Sequence, residues 1–277
     1  MGILDANCLS NSEYPLLKVE NLCCTTTVRK SLFLKRKVKI CDDISFEVKR
    51  GEILAISGDA GSGKTSLLRL INGTLPLDSG KIMVYGKPLM EFERRDRANF
   101  IKMIHADPMS NINPHLMVYQ ILEQPLIINS DLTEQQRYKR ITRILDQVGL
   151  RHSVMKSYPS MLPHLELLQL SFAYAILLNS HILLVDTIIE HLDTHLISKF
   201  MNILLDNQKK HGTAIIISLN HLDLIKHFAD KILILNKGKA EEYGSVKKVL
   251  ENPRSDIAKR IIQSNDNEYK FQSKRII

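Results

Sequence analysis

Apolar residues near the start of the chain follow first an alternating and then a continuous pattern. Residues 17–22 and 44–48 alternate apolar and polar positions, as half-buried strands do. Residues 53–57 (ILAIS) form a continuous apolar run typical of a buried strand, and residues 66–71 have the pattern of a helix start. Residues 16–90 therefore predict a small β-layer that leads into a buried strand and a helix.

The middle of the chain, from about residue 91 to residue 178, has a mostly helical pattern. Within it, residues 133–148 carry apolar side chains at helical spacing. Thr133 and Gln136 match a capping box, in which each side chain accepts a hydrogen bond from the other residue's backbone N–H. We therefore expect a capped helix over residues 133–148 in a mainly helical region.

Continuous apolar runs return in the last third of the chain. Residues 182–186, 214–218 and 231–235 each have the composition of a buried strand, and residues 195–209 between the first two have a helical pattern. Buried strands that alternate with helices are typical of a parallel sheet covered on both faces. The pattern predicts an α/β fold with a mostly parallel core sheet.

The composition is that of a globular protein with a basic charge balance. The chain has 277 residues, is 44% hydrophobic and has a formal net charge of +8. Part of the basic excess lies in one cluster, which comprises Arg29, Lys30, Lys35, Arg36, Lys37 and Lys39. This cluster could be a solvated loop, or it could attract an anionic membrane surface or an acidic partner. Nucleic-acid binding is disfavoured, because no aromatic residues are interleaved in a basic motif.

The sequence indicates a cytosolic protein. We find no apolar run long enough to span a bilayer and no basic segment followed by an apolar stretch at the N-terminus. Cys8, Cys23, Cys24 and Cys41 match no C-x-x-C pattern for a metal or a redox pair. We expect free, reduced thiols.

Residues 58–65 (GDAGSGKT) match the phosphate-binding motif G-x-x-x-x-G-K-[ST] between the predicted strand and the predicted helix. In that context, backbone N–H groups and the helix dipole favour a bound phosphate. Lys64 would reach the β- and γ-phosphates, and the Thr65 hydroxyl would ligate Mg²⁺. The nucleotide-binding residues would be Gly58, Asp59, Ala60, Gly61, Ser62, Gly63, Lys64, Thr65 and Ser66. The alternative is a glycine-rich turn with an incidental lysine.

Further motifs follow the phosphate loop at characteristic positions: the glycine-spaced stretch 76–86, DPMSNINP at 107–114, Asp186 after four apolar residues, Leu192-Asp193, and His221 after a strand. With them, the chain resembles the nucleotide-binding subunit of an ATP-binding-cassette transporter. The stretch 107–114 resembles the oligopeptide and dipeptide import branch of that family. The resemblance implies an ABC-type P-loop NTPase fold over residues 17–262, with an antiparallel β-layer, a helical subdomain at about 91–178 and a polar tail at 263–277.

The resemblance also implies roles for two further residues. Asp186 would be the acid that binds Mg²⁺ together with Thr65, the alternative being a cap at a strand end. His221 would be the switch histidine that senses the γ-phosphate, the alternative being a surface histidine. The implied cofactors are ATP and Mg²⁺.

Several positions depart from the family pattern. The signature L-S-G-G-Q aligns with residues 162–166 (LPHLE), where Pro163 lacks an N–H and Glu166 brings a negative charge. Thr187 stands where the family has a glutamate general base, and Glu190 is a possible substitute. The Q-loop glutamine of the family aligns with Ala106, beside His105. The aromatic residue that stacks on adenine in the family aligns near Thr26, and Phe33 is the nearest aromatic residue.

The resemblance implies an ATP-binding subunit with weakened or lost hydrolysis, peripheral on the cytosolic face of a bacterial inner membrane. Its partners would be a second, different ATPase subunit, transmembrane permease subunits that contact the region near residues 107–122, and indirectly a periplasmic peptide-binding protein. A non-catalytic regulatory or structural subunit is a second possibility. A soluble cassette protein that acts on ribosomes or DNA is a third, disfavoured by the single phosphate loop and the stretch 107–114.

Overall fold

The computed structural model describes residues 15–29, 35–186, 192 and 194–263. Its strands are β1 (Leu17–Arg29), β2 (Lys35–Val48), β3 (Ile53–Ser57), β4 (Ser79–Val84), β5 (Lys87–Pro88), β6 (Ile101–Ile104), β7 (Ile182–Val185), β8 (Ala214–Ser218), β9 (Lys231–Asn236) and β10 (Lys239–Ser245). Its helices are α1 (Lys64–Ile71), α2 (Arg94–Phe100), α3 (Val118–Asn129), α4 (Glu134–Val148), α5 (His164–Ile176), α6 (Thr194–His211), α7 (Leu222–Phe228) and α8 (Val246–Glu251), and residues 256–263 are also helical.

These strands form two sheets. The first has the order β2-β1-β4-β5 and is antiparallel throughout. The second has the order β10-β9-β3-β8-β7-β6, in which only β10 is antiparallel to its neighbour. The predicted mostly parallel core sheet and antiparallel β-layer are therefore confirmed.

Alternate residues of β3 enter two hydrophobic cores, one on each face of the core sheet. Ile53 and Ala55 pack in the core shared with the helices, where the rings of Phe172 and Phe200 stack with centroids 4.3 Å apart. Leu54 and Ile56 pack in the core shared with the antiparallel sheet. Because both faces are buried, β3 has to be apolar throughout, which explains its continuous apolar sequence.

The predicted capped helix is confirmed. Helix α4 begins at Glu134, and the side chains of Thr133 and Gln136 form the reciprocal capping box. The helix ends at Val148, and its C-cap Gly149 adopts a left-handed conformation with φ 78°.

Two features differ from the sequence patterns. Strand β6 (Ile101–Ile104) lies inside the stretch expected to be mostly helical and pairs in parallel with β7. A four-residue segment such as IKMI is too short for the spacing of its apolar residues to separate a strand from a helix, so only its neighbour decides. Strands β1 and β2 are also longer than the alternating segments 17–22 and 44–48, because they pair with each other from Leu17↔Val48 as far as Arg29↔Lys35.

Among the described residues, no helix is long and apolar enough to cross a membrane.

Candidate nucleotide-binding site

The phosphate loop connects the end of β3 to the start of α1. Helix α1 begins at Lys64, and its N-cap Gly63 has φ 109°. Within the described part of the chain no side chain caps α1, and no acidic residue lies in its first turn. The first N–H groups of a helix have no partner within the helix, so this end of α1 presents donors and a positive dipole to an anion.

Gly63 lets the loop approach the antiparallel sheet. A Cβ atom at this position would lie 2.7 Å from the carbonyl oxygen of Ile40, which is backbone that cannot move aside. The glycine thus keeps the phosphate loop against β2.

Lys64 lies on the inner side of the loop. Its side chain is buried, with 8% relative exposure, and its Nζ donates hydrogen bonds to the carbonyl oxygens of Gly58 and Asp59, the latter at 3.2 Å. The amine is held beside the N-terminus of α1, where it adds to the positive potential at the loop.

Thr65 and Asp186 meet at the edge of the loop. The Thr65 hydroxyl donates a hydrogen bond of 2.9 Å to Oδ1 of Asp186. Asp186 directly follows β7, is 3% exposed, and its backbone N–H donates to the carbonyl oxygen of Ile104 at 3.0 Å. A hydroxyl and a carboxylate side by side are oxygen donors of the kind that Mg²⁺ prefers, so these residues fit the ion expected from the sequence.

A cleft of about 560 Å³ opens over the loop. Its walls comprise Val38, Lys39, Ile40, Ala60, Gly61, Ser62, Gly63, Lys64, Thr65, Ser66, Asn220, Lys237 and Gly238. The loop residues were expected from the motif. The contributions of β2, of Asn220 and of the turn between β9 and β10 were not.

Asn220 supports the start of the loop. Its Oδ1 accepts a hydrogen bond of 3.3 Å from the backbone N–H of Gly58 and one of 3.5 Å from the Ser57 hydroxyl. The sequence signal for Asn220 is its place two residues after the buried strand β8 and directly before His221, since the carboxyl ends of parallel strands carry functional residues.

Gly238 joins three parts of the site. Its N–H donates to the carbonyl oxygen of Ser62 at 2.8 Å, and its carbonyl oxygen accepts from the Asp42 N–H at 2.8 Å. The turn between β9 and β10 therefore links the phosphate loop to β2.

Among the described residues, the β2 side of the cleft carries two aliphatic side chains and Lys39, with no aromatic ring. Val38 and Ile40 lie on the wall, and Thr26, near which the family's stacking aromatic aligns, pairs in register with Val38. Phe33, the nearest aromatic residue in the sequence, lies outside the described residues.

The two histidines near the site differ in position. His221 is exposed at the start of α7 and is not among the residues on the cleft wall. His105 is half-buried, and its burial together with the charge of Arg69 lowers its pKa, an effect that Asp186 and Asp107 oppose. The lowered pKa favours the neutral imidazole at neutral pH.

The segment aligned with the family signature leads into α5. Leu162 is buried, Pro163 occupies the N-cap position, and none of the described side chains caps the helix. Glu166 lies in the first turn and accepts a hydrogen bond of 3.2 Å from the guanidinium of Arg151. The negative charge at this helix end is therefore paired within the chain.

Four positions singled out in the sequence, Thr187, Glu190, Asp193 and Phe33, lie outside the described residues. Their expected roles stay predictions.

Comparisons with known proteins show the family and the fold. The model of the ABC transporter family matches residues 41–189. SapF of Escherichia coli is 33% identical over 91% of this chain and 94% of its own length. In strain K12 it is named a putrescine export system ATP-binding protein, and in E. coli O6:H1 it is named a peptide transport system ATP-binding protein. The dipeptide transport ATP-binding protein DppF of Haemophilus influenzae is 27% identical over 90% of this chain and 78% of its own. The dimeric post-hydrolysis structure of the ATP-binding cassette MJ0796 has a similar fold, with a TM-score of 0.74, 20% identity and coverage of 83% of this chain and 98% of its own.

Proposed function

This chain belongs to the ABC transporter family, and we propose that it is the ATP-binding subunit of a bacterial inner-membrane peptide transporter of the SapF type. The observation that carries the proposal is the contact of Thr65, a phosphate-loop residue on the cleft wall, with the buried carboxylate of Asp186. It brings a potential Mg²⁺ site next to a potential triphosphate site, as nucleotide binding requires.

In this proposal the chain's own groups bind and orient Mg-ATP. The N–H groups at the start of α1 and the Lys64 amine bind the phosphate oxygens. Thr65 and Asp186 would hold the metal ion, which would supply positive charge to the phosphates. His221 would sense the γ-phosphate from the start of α7.

We further propose that hydrolysis is weakened. Thr187 cannot accept a proton from water at neutral pH, and loss of a general base costs on the order of 10²–10⁴-fold in rate. Ala106 has no polar group to position water or metal. At the signature segment, Pro163 removes an N–H and Glu166, although paired with Arg151, keeps a carboxylate where a partner subunit's phosphate would lie.

These defects indicate which partner subunits the chain needs. A second, different ATPase subunit would supply an intact signature to the site on this chain, whereas a homodimer would carry every defect twice. The relatives differ in the substrate that their names give, putrescine or peptides, and the stretch 107–114 favours a peptide. A periplasmic peptide-binding protein would contribute only indirectly.

A groove of about 290 Å³ supports a permease contact near residues 107–122. It lies between α2, β6, α3 and α5, and its wall includes several carboxamides and the half-buried Lys102. Burial lowers the pKa of Lys102, whose Nζ lies 6.0 Å from the centroid of the Tyr174 ring. A permease segment with an acidic residue would offset that desolvation, which would keep the chain at the cytosolic face of the membrane.

The alternative from another class is a regulatory subunit that binds ATP without turnover. The departures at Ala106 and at residues 162–166 favour it. Action on ribosomes or DNA has no supporting observation in the site.

The first experiment measures ATP binding and phosphate release by the purified chain, alone and with a candidate partner subunit. We expect binding that Lys64→Ala abolishes, with turnover no higher than in that variant. Thr187→Glu should raise turnover if the missing base is the main defect. Turnover well above the Lys64→Ala control would contradict weakened hydrolysis, and an absence of Lys64-dependent binding would contradict the proposal as a whole.

A second experiment tests the permease contact. Lys102→Glu should reduce co-purification with a permease pair, and Lys209→Glu on α6 is the matched charge reversal on another surface. Equal recovery of permease with both variants would rule out the groove as the contact.

A further inference from the structure

The turn between β9 and β10 consists of two residues, Lys237 and Gly238. Both have positive φ values, 47° and 82°. Two-residue hairpin turns with both φ values positive favour Asn, Asp or Gly at the first position, since a side chain with Cβ is strained there. A lysine at position 237 is therefore not explained by the turn itself.

Packing does not explain the lysine either. Among the described residues, the other non-glycine residues with positive φ are Asn21, Asp43, Asn179 and Tyr85. Three of these are Asn or Asp, which tolerate a positive φ. Tyr85 is held by its contacts with His181, since its hydroxyl shares a hydrogen bond with Nδ1 of His181 and its ring packs against the imidazole ring. Lys237 is exposed and has no hydrogen bond or ion pair within the described part of the chain.

The lysine lies on the wall of the nucleotide cleft. Gly238, the next residue, bonds to Ser62 of the phosphate loop, so the turn is held against the loop. Lys39 and Lys239 nearby are both paired with Asp42. Lys237 is thus an unpaired cation on the cleft wall, whereas its two neighbours share the single carboxylate of Asp42.

The order of strands indicates which end of a nucleotide Lys237 faces. Strand β3, which carries the phosphate loop, lies between β9 on one side and β8 and β7 on the other. Asp186 follows β7 and Lys237 follows β9, so they flank the loop from opposite sides. If the metal and the terminal phosphates are at Asp186, Lys237 is at the nucleoside end, next to the aliphatic wall of Val38 and Ile40.

We propose that Lys237 is a nucleotide-binding residue that contacts the part shared by nucleoside di- and triphosphates, the ribose and its first phosphate. This inference rests on the proposed function, since it needs a nucleotide in the cleft. A cation on a turn bonded to the phosphate loop would supply the affinity at the nucleoside end that an aromatic platform supplies in the family pattern.

The test measures binding of ATP and of ADP, each with Mg²⁺, by titration calorimetry. Lys237→Asn removes the cation but suits the turn better, so its thermal midpoint should equal or exceed that of the wild type. The variant should bind ATP and ADP more weakly by the same factor, about three- to tenfold, as expected for the loss of one charge-assisted contact. The affinity of the variant should also depend less on salt than that of the wild type, which a merely structural role would not cause. Lys237→Arg should retain the affinity.

Controls separate this inference from the function on which it rests. Lys239→Asn removes a cation from the same hairpin, and it should leave nucleotide affinity unchanged because Lys239, unlike Lys237, is not among the described residues that line the cleft. Wild-type affinity in Lys237→Asn, or an equal loss in Lys239→Asn, would overturn the role of Lys237 while Lys64-dependent ATP binding stood. Failure of the wild type to bind ATP at all would overturn both.

Discussion

At the scale of single residues, the site depends on one contact between side chains 121 residues apart, the hydrogen bond of the Thr65 hydroxyl to the Asp186 carboxylate. A buried carboxylate is costly unless it is hydrogen-bonded or faces a cation. Asp186 receives that hydrogen bond beside a loop built for phosphate. In the proposed function this position serves metal binding and not only the end of a strand.

Asp186→Asn tests that assignment. The amide oxygen can still accept from Thr65, but the charge is lost, so Mg²⁺ should no longer strengthen ATP binding. We expect the affinity in Mg²⁺ to fall by about tenfold or more, the size of one lost charge-assisted ligand. Calorimetric titration measures ATP affinity with Mg²⁺ and with a chelator in its place. Asp206→Asn on α6 is the control variant. A Mg²⁺ effect of wild-type size in Asp186→Asn would refute the role.

The aliphatic wall of the cleft suggests a second change of one residue. Val38→Phe places a ring on the β2 side, where stacking on a base should add about 0.5–1.5 kcal/mol, or roughly two- to tenfold in ATP affinity. Val38→Leu enlarges the side chain without a ring and should change the affinity little. Equal effects of the two variants would show that the base does not reach this wall.

At the scale of elements, the phosphate loop is held between β2 and the turn from β9 to β10. The backbone bonds of Gly238 to Ser62 and to Asp42 connect all three. The close approach depends on glycine, since a Cβ atom at position 238 would lie 2.8 Å from the carbonyl oxygen of Ile40. The nucleotide site is thus assembled from both sheets.

Gly238→Ala should therefore cost both stability and nucleotide binding. The clash and the positive φ together should lower the free energy of unfolding by about 2–4 kcal/mol. Gly86→Ala is a matched control, because Gly86 has φ 74° but nothing within 4 Å of an added Cβ. The control should lose only the conformational part, about 1–2 kcal/mol. Urea unfolding of both variants measures these losses in the free energy of unfolding. Equal losses would show that the contact with Ile40 is unimportant.

At the scale of the whole molecule, the two sheets are joined by an aromatic cluster as well as by the shared core. Tyr85, in the turn between β4 and β5, hydrogen-bonds at 2.5 Å to Nδ1 of His181, which precedes β7. The ring of Phe100 packs edge-on against that of His181, with centroids 5.2 Å apart. Burial, with a smaller effect of Arg50, lowers the pKa of His181 below 6.5.

This cluster predicts how stability depends on pH. Because the pKa of His181 is lower in the folded state, the unfolded chain binds more protons just below pH 6.5, and the free energy of unfolding falls as pH drops through that value. His105 and His211, whose pKa values are also lowered mainly by burial, act in the same direction. Stability is then highest above pH 6.5.

Urea unfolding at about pH 7.5 and about pH 5.5 measures the effect, on opposite sides of the ordinary histidine pKa. His181→Phe, which keeps a ring between Tyr85 and Phe100, should flatten the pH dependence. A variant with the wild-type slope would show that His181 contributes nothing to it.

The local features of this protein could be predicted from its sequence because they depend on residues close together in the chain. The phosphate loop, the helix capped by Thr133 and Gln136, and the continuous apolar strands belong to this group. Each rests on a backbone or burial requirement that a short segment meets by its own composition. The family resemblance, which the comparisons confirm, rests on the same short motifs.

The tertiary structure alone decided the features that require distant segments to meet. Strand β6 exists because β7 lies beside it, and Asn220 and Lys237 reach the cleft because β8 and β9 flank β3. The pairing of Glu166 with Arg151 likewise depends on how α5 lies against the segment after α4. Sequence periodicity reports which face of an element is buried, but not which element covers it, so the neighbours of a site are set only when the whole chain packs.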